Sequence, residues 1–194
     1  MANVAKYDRE DVVDRAMKLF WRQGFNGTST RDLQQAVDMR PGSIYAAFGS
    51  KEGLFKESLQ HYSVTMASLL QEKVTQEGSS LAGLQAYIRC VVIERRDSAP
   101  SDMCMLVKTV AEITETHPEL LQQSQALMKK NEQRFAALLE QAQKVGEIPA
   151  HKDPQLLAKY LQVQLIGLRT YLRSSQEPGD VETLINEIFT ALKS

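Results

Sequence analysis

The chain has few of the residues that build covalent, metal-bound or catalytic frameworks. Its two cysteines, Cys90 and Cys104, are too few for a disulfide scaffold in 194 residues and lack the paired spacing of a zinc site. The three histidines, His61, His117 and His151, are dispersed, and no Ser-His-Asp order, metal-ligand spacing or phosphate-binding glycine loop accompanies them. We therefore expect no enzyme, no cofactor and no metal. No apolar run approaches the roughly 20 residues of a membrane span. The opening residues MANVAKYDRE contain no apolar signal core, so the expected location is the cytoplasm, with no membrane partner. Strand-like alternation, internal repeats and low-complexity tracts are absent too, leaving an all-α chain.

An apolar fraction of 43% with 24% charged residues is that of an ordinary globule with a real core. Net charge is near zero, which alone argues against a nucleic-acid partner, but the charge is unevenly spread. Residues 1–56 carry nine Lys and Arg against seven Asp and Glu, while the remainder carries fourteen against seventeen. The asymmetry is weak, and it allows a DNA-facing N-terminal end.

The stretch Thr28 to Phe55, TSTRDLQQAVDMRPGSIYAAFGSKEGLF, reads as two short helices, a tight turn between them and a third, longer helix beginning at once. Ser29 is placed to cap the first helix, and Asp32, three residues on, to accept from the Ser29 amide. Leu33, Ala36 and Val37 give that helix an apolar face. Pro41 cannot donate inside a preceding helix but suits the first turn of a new one. In that second helix Ile44 and Phe48, four apart, face inward, leaving Gly42, Ser43, Tyr45 and Ala46 on the sides and outer surface. Small groups and one phenol make a shape that fits a groove about as wide as a helix. Such a pair is a helix-turn-helix, with motif limits near 29–48, whose second helix lies in the DNA major groove.

Here the chain resembles the TetR family of bacterial transcriptional regulators. The resemblance rests on Leu19-Phe20, Gly24-Phe25, Thr28-Ser29-Thr30, Asp32-Leu33, Gly42-Ser43-Ile44-Tyr45, Phe48 and Lys51-Glu52-Gly53-Leu54, many positions agreeing at fixed spacing over roughly the first sixty residues. Asp38 stands where the family usually has Gly, and Arg40 where it favours Ser. Asp adopts a left-handed turn at modest cost; Arg40 brings a cation to the lip of the groove.

The rest of the chain supplies helix after helix. The first is expected over Asp8–Gln23, with Asp8 as its cap, Gly24 just past its end and Trp21 packed beside its apolar stripe. A long helix should run from Ser50 to about Glu77, followed by helices over about Ser80–Arg96, Asp102–Glu115, from Thr116-His117-Pro118-Glu119 to about Val145, Asp153–Ser174 and Pro178–Leu192. About nine helices result. Residues 1–50 are expected to form the helix-turn-helix DNA-binding domain and 51–194 a helical ligand-binding and dimerisation domain. The last two helices are apolar on more than one face, through residues such as Leu156, Tyr160, Leu161 and Leu165 on one and Val181, Leu184, Ile188 and Leu192 on the other. That breadth suits a helical dimer interface. The resemblance implies the same, a four-helix bundle made by two copies.

For the DNA contact, Lys51 at the start of the long helix has a charge and a helix N-terminus behind it, which suits a phosphate. Tyr45, Ser29 and Thr30 can reach phosphates through their hydroxyls, and the resemblance gives Tyr45 and Lys51 the same role. Arg31, Arg40, Ser43 and Ala46 are candidates at base edges, Pro41 opens the reading helix, and Gly42 permits close approach of the backbone. A small-molecule cavity in the second domain is expected to draw on Met66, Met103, Cys104, Met105, Lys108, Gln162, Leu165 and Arg169. The Asp102-Met103-Cys104-Met105-Leu106 segment also resembles the start of the sixth helix in a subset of the family, some of whose members sense electrophiles through cysteine. The reading is a ligand-released repressor that binds a palindromic operator as a homodimer. The alternatives are a structural helical adaptor or, further off, a small helical enzyme.

Overall fold

A computed structural model describes residues 7–113, 116–175 and 177–194. Among them it contains α1 (Arg9–Gln23), α2 (Thr30–Val37), α3 (Pro41–Phe48), α4 (Lys51–Glu77), α5 (Ser80–Arg89), a π-helical turn (Cys90–Glu94), α6 (Met105–Glu112), α7 (Pro118–Lys144), α8 (Pro154–Ser175) and α9 (Pro178–Lys193), and no strand. None of these helices is long and apolar enough to cross a membrane. The chain divides into two compact units. The first is the chain up to Val64 together with Met105–Gln125, and the second is Thr65–Cys104 with Ala126–Ser194. This division by packing does not follow the sequence boundary at residue 50, because the first half of α4, all of α6 and the start of α7 pack with the head.

In the first unit, Asp8 caps α1 by accepting from the Glu10 and Asp11 amides at 2.9 and 3.5 Å, and α1 packs on both α2 and α6. Its core is aromatic. The Phe20 and Phe55 rings meet edge to face at 4.8 Å, Phe25 meets Phe55 at 5.0 Å and His117 at 4.8 Å, and Trp21 meets Tyr62 at 5.0 Å, so Trp21 is a packing residue. Around these rings Leu33, Ile44, Leu54, Leu59 and Met105 are fully buried.

In the second unit, α9 packs on α5 and α8, and the π turn lies against both α8 and α9. Leu84, Ile88, Phe135, Leu139, Leu161, Val181, Ile185 and Phe189 form its core. Gly83 passes so close to Val74 of α4 that a Cβ there would collide with the Val74 backbone, which makes this glycine a packing requirement.

Two helix boundaries differ from the sequence reading. The helix expected to reach Arg96 ends at Arg89 and widens into the π turn, whose Arg95 amide donates to the Cys90 carbonyl at 3.0 Å. With helices on two sides of it, this turn buries Cys90, Val91 and Val92 in succession. The sixth helix begins at Met105 rather than Asp102, because Ser101 Oγ accepts from the Met103 amide at 3.4 Å and holds the chain in a local turn. Its expected end at Glu115 lies outside the described residues.

The outer face of α8 carries Leu156 and Val163, 63% and 64% exposed, and Tyr160 and Tyr171. Tyr160 and Tyr171, with Leu184 and Ala191 of α9, border a shallow groove. A Cβ on Gly167 in this groove would meet nothing.

Candidate nucleic-acid interface

The interface is built by two short helices whose ends are fixed by local chemistry. Ser29 Oγ accepts from the Asp32 amide at 3.1 Å while the Asp32 carboxylate accepts from the Ser29 amide at 2.9 Å, a complete capping box at the start of α2. The hydrogen bonds from Ser29 hold the Asp32 carboxyl below the usual carboxylate range. The box is therefore at full strength at neutral pH and is lost as acid protonates Asp32. At the other end of α2, Asp38 takes the left-handed conformation, φ 51° and ψ 44°, in which its amide donates to the Gln34 carbonyl. Arg40 is the N-cap residue of α3 in extended conformation and makes no side-chain cap bond, leaving its guanidinium exposed. Pro41 then opens α3.

Along α3 one face is buried and the other is not. Ile44 is 1% and Phe48 7% exposed, whereas Gly42, Ser43, Tyr45 and Ala46 lie open. A Cβ on Gly42 would meet nothing within the chain, so the fold does not require a glycine there. Tyr45 Oη lies 3.1 Å from the Thr30 hydroxyl, which joins the first turn of α2 to the middle of α3. Arg31 and Arg40 stand exposed beside the α2–α3 turn and share a shallow, open hollow with Gln34, Gln35 and Met39.

Lys51 is the first residue of α4, and its ammonium sits 4.4 Å from the centroid of the Phe25 ring. Partial burial lowers its pKa, with Glu52, Glu112 and Asp32 acting in the opposite direction. The cation is already partly stripped of water, so an incoming phosphate has less hydration to displace. Ser29, Thr30, Tyr45 and Lys51 thus supply hydroxyls and one cation around the starts of α2 and α4, while Arg31, Arg40, Ser43 and Ala46 supply groups of the base-reading kind.

Three polar residues hold this head together, of which Glu112 and Arg9 escaped the sequence reading and Lys108 was read as a ligand group. Glu112 of α6 accepts from the Phe25 amide at 3.0 Å and the Asn26 amide at 2.6 Å, closing the α1–α2 connection. Gly24, with φ 82°, admits it, since any side chain there would overlap the Glu112 carboxylate. One turn earlier Lys108 donates to the Trp21 and Arg22 carbonyls at 3.2 and 2.7 Å, satisfying the C-terminal end of α1. Arg9 donates to the Ala47 carbonyl at 3.1 Å, lies 4.4 Å over the Phe48 ring and pairs with Glu57 at 2.5 Å, pinning the end of α3. These partners are 38 to 87 residues apart in the chain, and no local pattern announces them.

The ligand candidates are divided between the two units. Met105, fully buried, and Lys108, committed to α1, belong to the first. Met66, Met103, Cys104, Gln162, Leu165 and Arg169 belong to the second. Gln162, Leu165 and Arg169 share the inward face of α8. Gln162 accepts from Asn131 at 3.0 Å and donates to the Met128 carbonyl at 3.3 Å, a structural tie between α7 and α8. Cys104 is half-buried just before α6. Among the described residues, no group of three or more His, Cys, Asp and Glu side chains could hold a metal ion.

Known proteins agree with this geometry over both parts of the chain. Residues 12–58 match the model for bacterial regulatory proteins of the tetR family, and residues 80–188 match that for the tetracyclin repressor-like C-terminal domain. ComR, an HTH-type transcriptional repressor of Escherichia coli strain K12, is 27% identical over 188 residues, covering 96% of this chain and 88% of ComR. YezE, an HTH-type transcriptional regulator of Bacillus subtilis strain 168, is 25% identical over 169 residues, 87% of each chain. Among solved structures, a cysteine mutant of the TetR family transcriptional regulator CifR, in complex with 26bp double-strand operator DNA, superposes with a TM-score of 0.84 at 26% identity, covering 96% of this chain and 97% of that one. A regulator from Cytophaga hutchinsonii shares the fold at TM-score 0.85 and 19% identity, over 95% of this chain and 94% of its own. With its helix-turn-helix head, its all-helical second unit and a family match across more than half its length, this chain belongs to the TetR family of bacterial transcriptional regulators.

Proposed function

We propose that the protein is a cytoplasmic repressor that binds a palindromic DNA operator as a homodimer and is released by a small molecule bound in its second unit. The observation that carries the reading is the outer face of α3, where Gly42, Ser43, Tyr45 and Ala46 stand open over the buried Ile44 and Phe48. A helix that presents small groups over a rigid hydrophobic seat can enter the major groove without moving anything behind it. Ser43 and Ala46 meet base edges there, Arg31 and Arg40 reach guanines at the margin, and Pro41 and Gly42 bring the backbone close. Lys51, Tyr45, Ser29 and Thr30 grip phosphates.

The dimer is formed by α8 and α9. Leu156, Tyr160, Val163, Tyr171 and Leu184 are an exposed apolar stripe that a second copy covers, with Gly167 allowing the partner helix close approach. Two heads related by a two-fold axis then address half-sites about 34 Å apart or somewhat more. Release follows a route along the chain. Residues 101–104 lead directly into α6, whose Lys108 and Glu112 hold the α1–α2 connection, so a ligand that shifts this segment shifts the grip on the head. Met66, Met103, Cys104, Leu165 and Arg169 are the side chains we assign to the effector cavity.

The test is selection of bound duplexes from genomic fragments, followed by titration of the enriched sequence at increasing salt. The expected result is an inverted repeat bound two copies at a time, with affinity falling steeply as salt rises. Enrichment of no sequence over bulk DNA would leave a helical adaptor as the better reading.

A further inference from the structure

The helix α3 is short and weakly anchored by its own sequence. It has eight residues, no acidic side chain in its first turn and no basic one in its last, and Arg40 at its start makes no side-chain cap bond. Ile44 and Phe48 seat it by apolar contact, which holds the helix down but is non-directional and does not fix its tilt. Direction comes from two polar ties. At the middle of α3, Tyr45 Oη lies 3.1 Å from the Thr30 hydroxyl of α2. At its C-terminal end the tie comes from Arg9, the first residue of α1, 38 residues from the carbonyl it meets.

Arg9 reaches that end in three ways at once. One terminal guanidinium nitrogen donates to the Ala47 carbonyl at 3.1 Å, the other pairs with Glu57 of α4 at 2.5 Å, and the central carbon lies 4.4 Å from the centroid of the Phe48 ring. The Tyr45 and Phe48 carbonyls of the same turn accept from the Gly49 and Ser50 amides, so Ala47 is the one answered by a side chain from another helix. A cation here also meets the negative end of the α3 dipole. The fork therefore joins α1, α3 and α4. Its contribution to stability is small, because Arg9 and Glu57 are 50% and 40% exposed and an exposed ion pair adds little. Its contribution to geometry is larger.

The outer face of α3 makes that geometry matter. Ser43 and Ala46 are short, and Ala46 stands directly before the tied carbonyl. A long side chain can swing to follow a displaced base, but a methyl group cannot, and a gap of about 0.5–1 Å forfeits a quarter to a half of a van der Waals contact. Lys51 belongs to α4, and Ser29 and Thr30 to the start of α2, so these phosphate grips do not depend on the tilt of α3.

We propose that Arg9 is a positioning residue for sequence reading. It fixes the tilt of α3 by holding the Ala47 carbonyl and the Phe48 ring against Glu57, and so sets the discrimination between operator and other DNA without touching either. This role rests on the reading of α3 as the helix that enters the major groove, and it adds a residue outside the contact surface.

The experiment compares full-length wild type, Arg9→Met and Arg9→Lys for binding to the selected operator and to a scrambled duplex of equal length and composition, each over a range of salt. Arg9→Met should bind the operator about tenfold more weakly, roughly the loss from one mismatched base pair, with scrambled-duplex affinity within about twofold of wild type and an unchanged salt dependence. Arg9→Lys keeps the charge but not the planar fork, and should stay within about threefold of Arg9→Met. Glu57→Ala, which frees the fork from α4, should weaken operator binding about threefold and keeps the comparison alive if Arg9→Met does not fold. Equal losses on both duplexes with a shallower salt dependence would make Arg9 a phosphate contact. A lower melting temperature with both affinities unchanged would make it a purely structural residue. Either result overturns the proposal, as does full recovery in Arg9→Lys. Variants that discriminate as well as a discriminating wild type overturn the role of Arg9 alone, whereas a wild type that favours neither duplex overturns the regulator reading and the role of Arg9 with it.

Discussion

The two units leave different outer faces open. In the head, the polar groups at the helix ends and connections are answered from within: Ser29 by Asp32, the Phe25 and Asn26 amides by Glu112, the end of α1 by Lys108, the Ala47 carbonyl by Arg9. What remains free is the outer face of α3, which makes no demand on the fold. In the second unit an apolar stripe on α8 and α9 stands exposed, while each unit buries one side-chain atom with no hydrogen-bond partner among the described residues, Ser124 Oγ in the first and Arg169 Nε in the second. The difference teaches a division of labour. The head presents small and polar groups over a buried seat, and the body presents an apolar stripe.

That contrast can be broken at the body's open face first. Val163→Glu places a charge in the middle of the stripe and should turn the dimer into a monomer by sedimentation, with operator affinity down at least a hundredfold, roughly 3 kcal/mol, since each head then binds alone. Unchanged sedimentation would mean that the stripe is not the interface.

A smaller effect is expected where the head closes on itself. Glu112→Ala leaves the Phe25 and Asn26 amides without their acceptor and should lower unfolding free energy by about 1–3 kcal/mol in denaturant titration. A change within a few tenths would show that water replaces the carboxylate fully. The smallest effect is at the α2–α3 turn. Asp38 pays the left-handed penalty, and Asp38→Gly should stabilise the protein by up to about 1 kcal/mol, read as a higher denaturant midpoint at unchanged slope. Destabilisation there would mean that the Asp38 side chain makes a contact worth more than its strain.

The capping box, the left-handed Asp38, Pro41 at the head of α3 and the inward pair Ile44 and Phe48 were legible because their causes lie within four residues of each other. The exposed apolar stripe on α8 and α9 was legible as an excess of apolar faces. That Arg169 Nε is buried with no hydrogen-bond partner among the described residues is a property of packing and has no sequence signature. Lys108 was read as a ligand group, whereas its ammonium answers the end of α1, 86 residues away. The Glu112 clasp, the Arg9 pin and the π turn arise from elements meeting in space. Periodicity reports which face is buried but not what polar atom waits across from it.

The central claim is that the outer face of α3, with Lys51 beside it, holds DNA. A gel shift of Tyr45→Ala/Lys51→Ala on the selected operator at fixed salt, with sedimentation and circular dichroism confirming a folded dimer, tests it most directly. The account predicts loss of operator binding by at least a hundredfold from a dimer as helical as the wild type. Wild-type affinity in that variant would place the reading surface elsewhere and contradict the account.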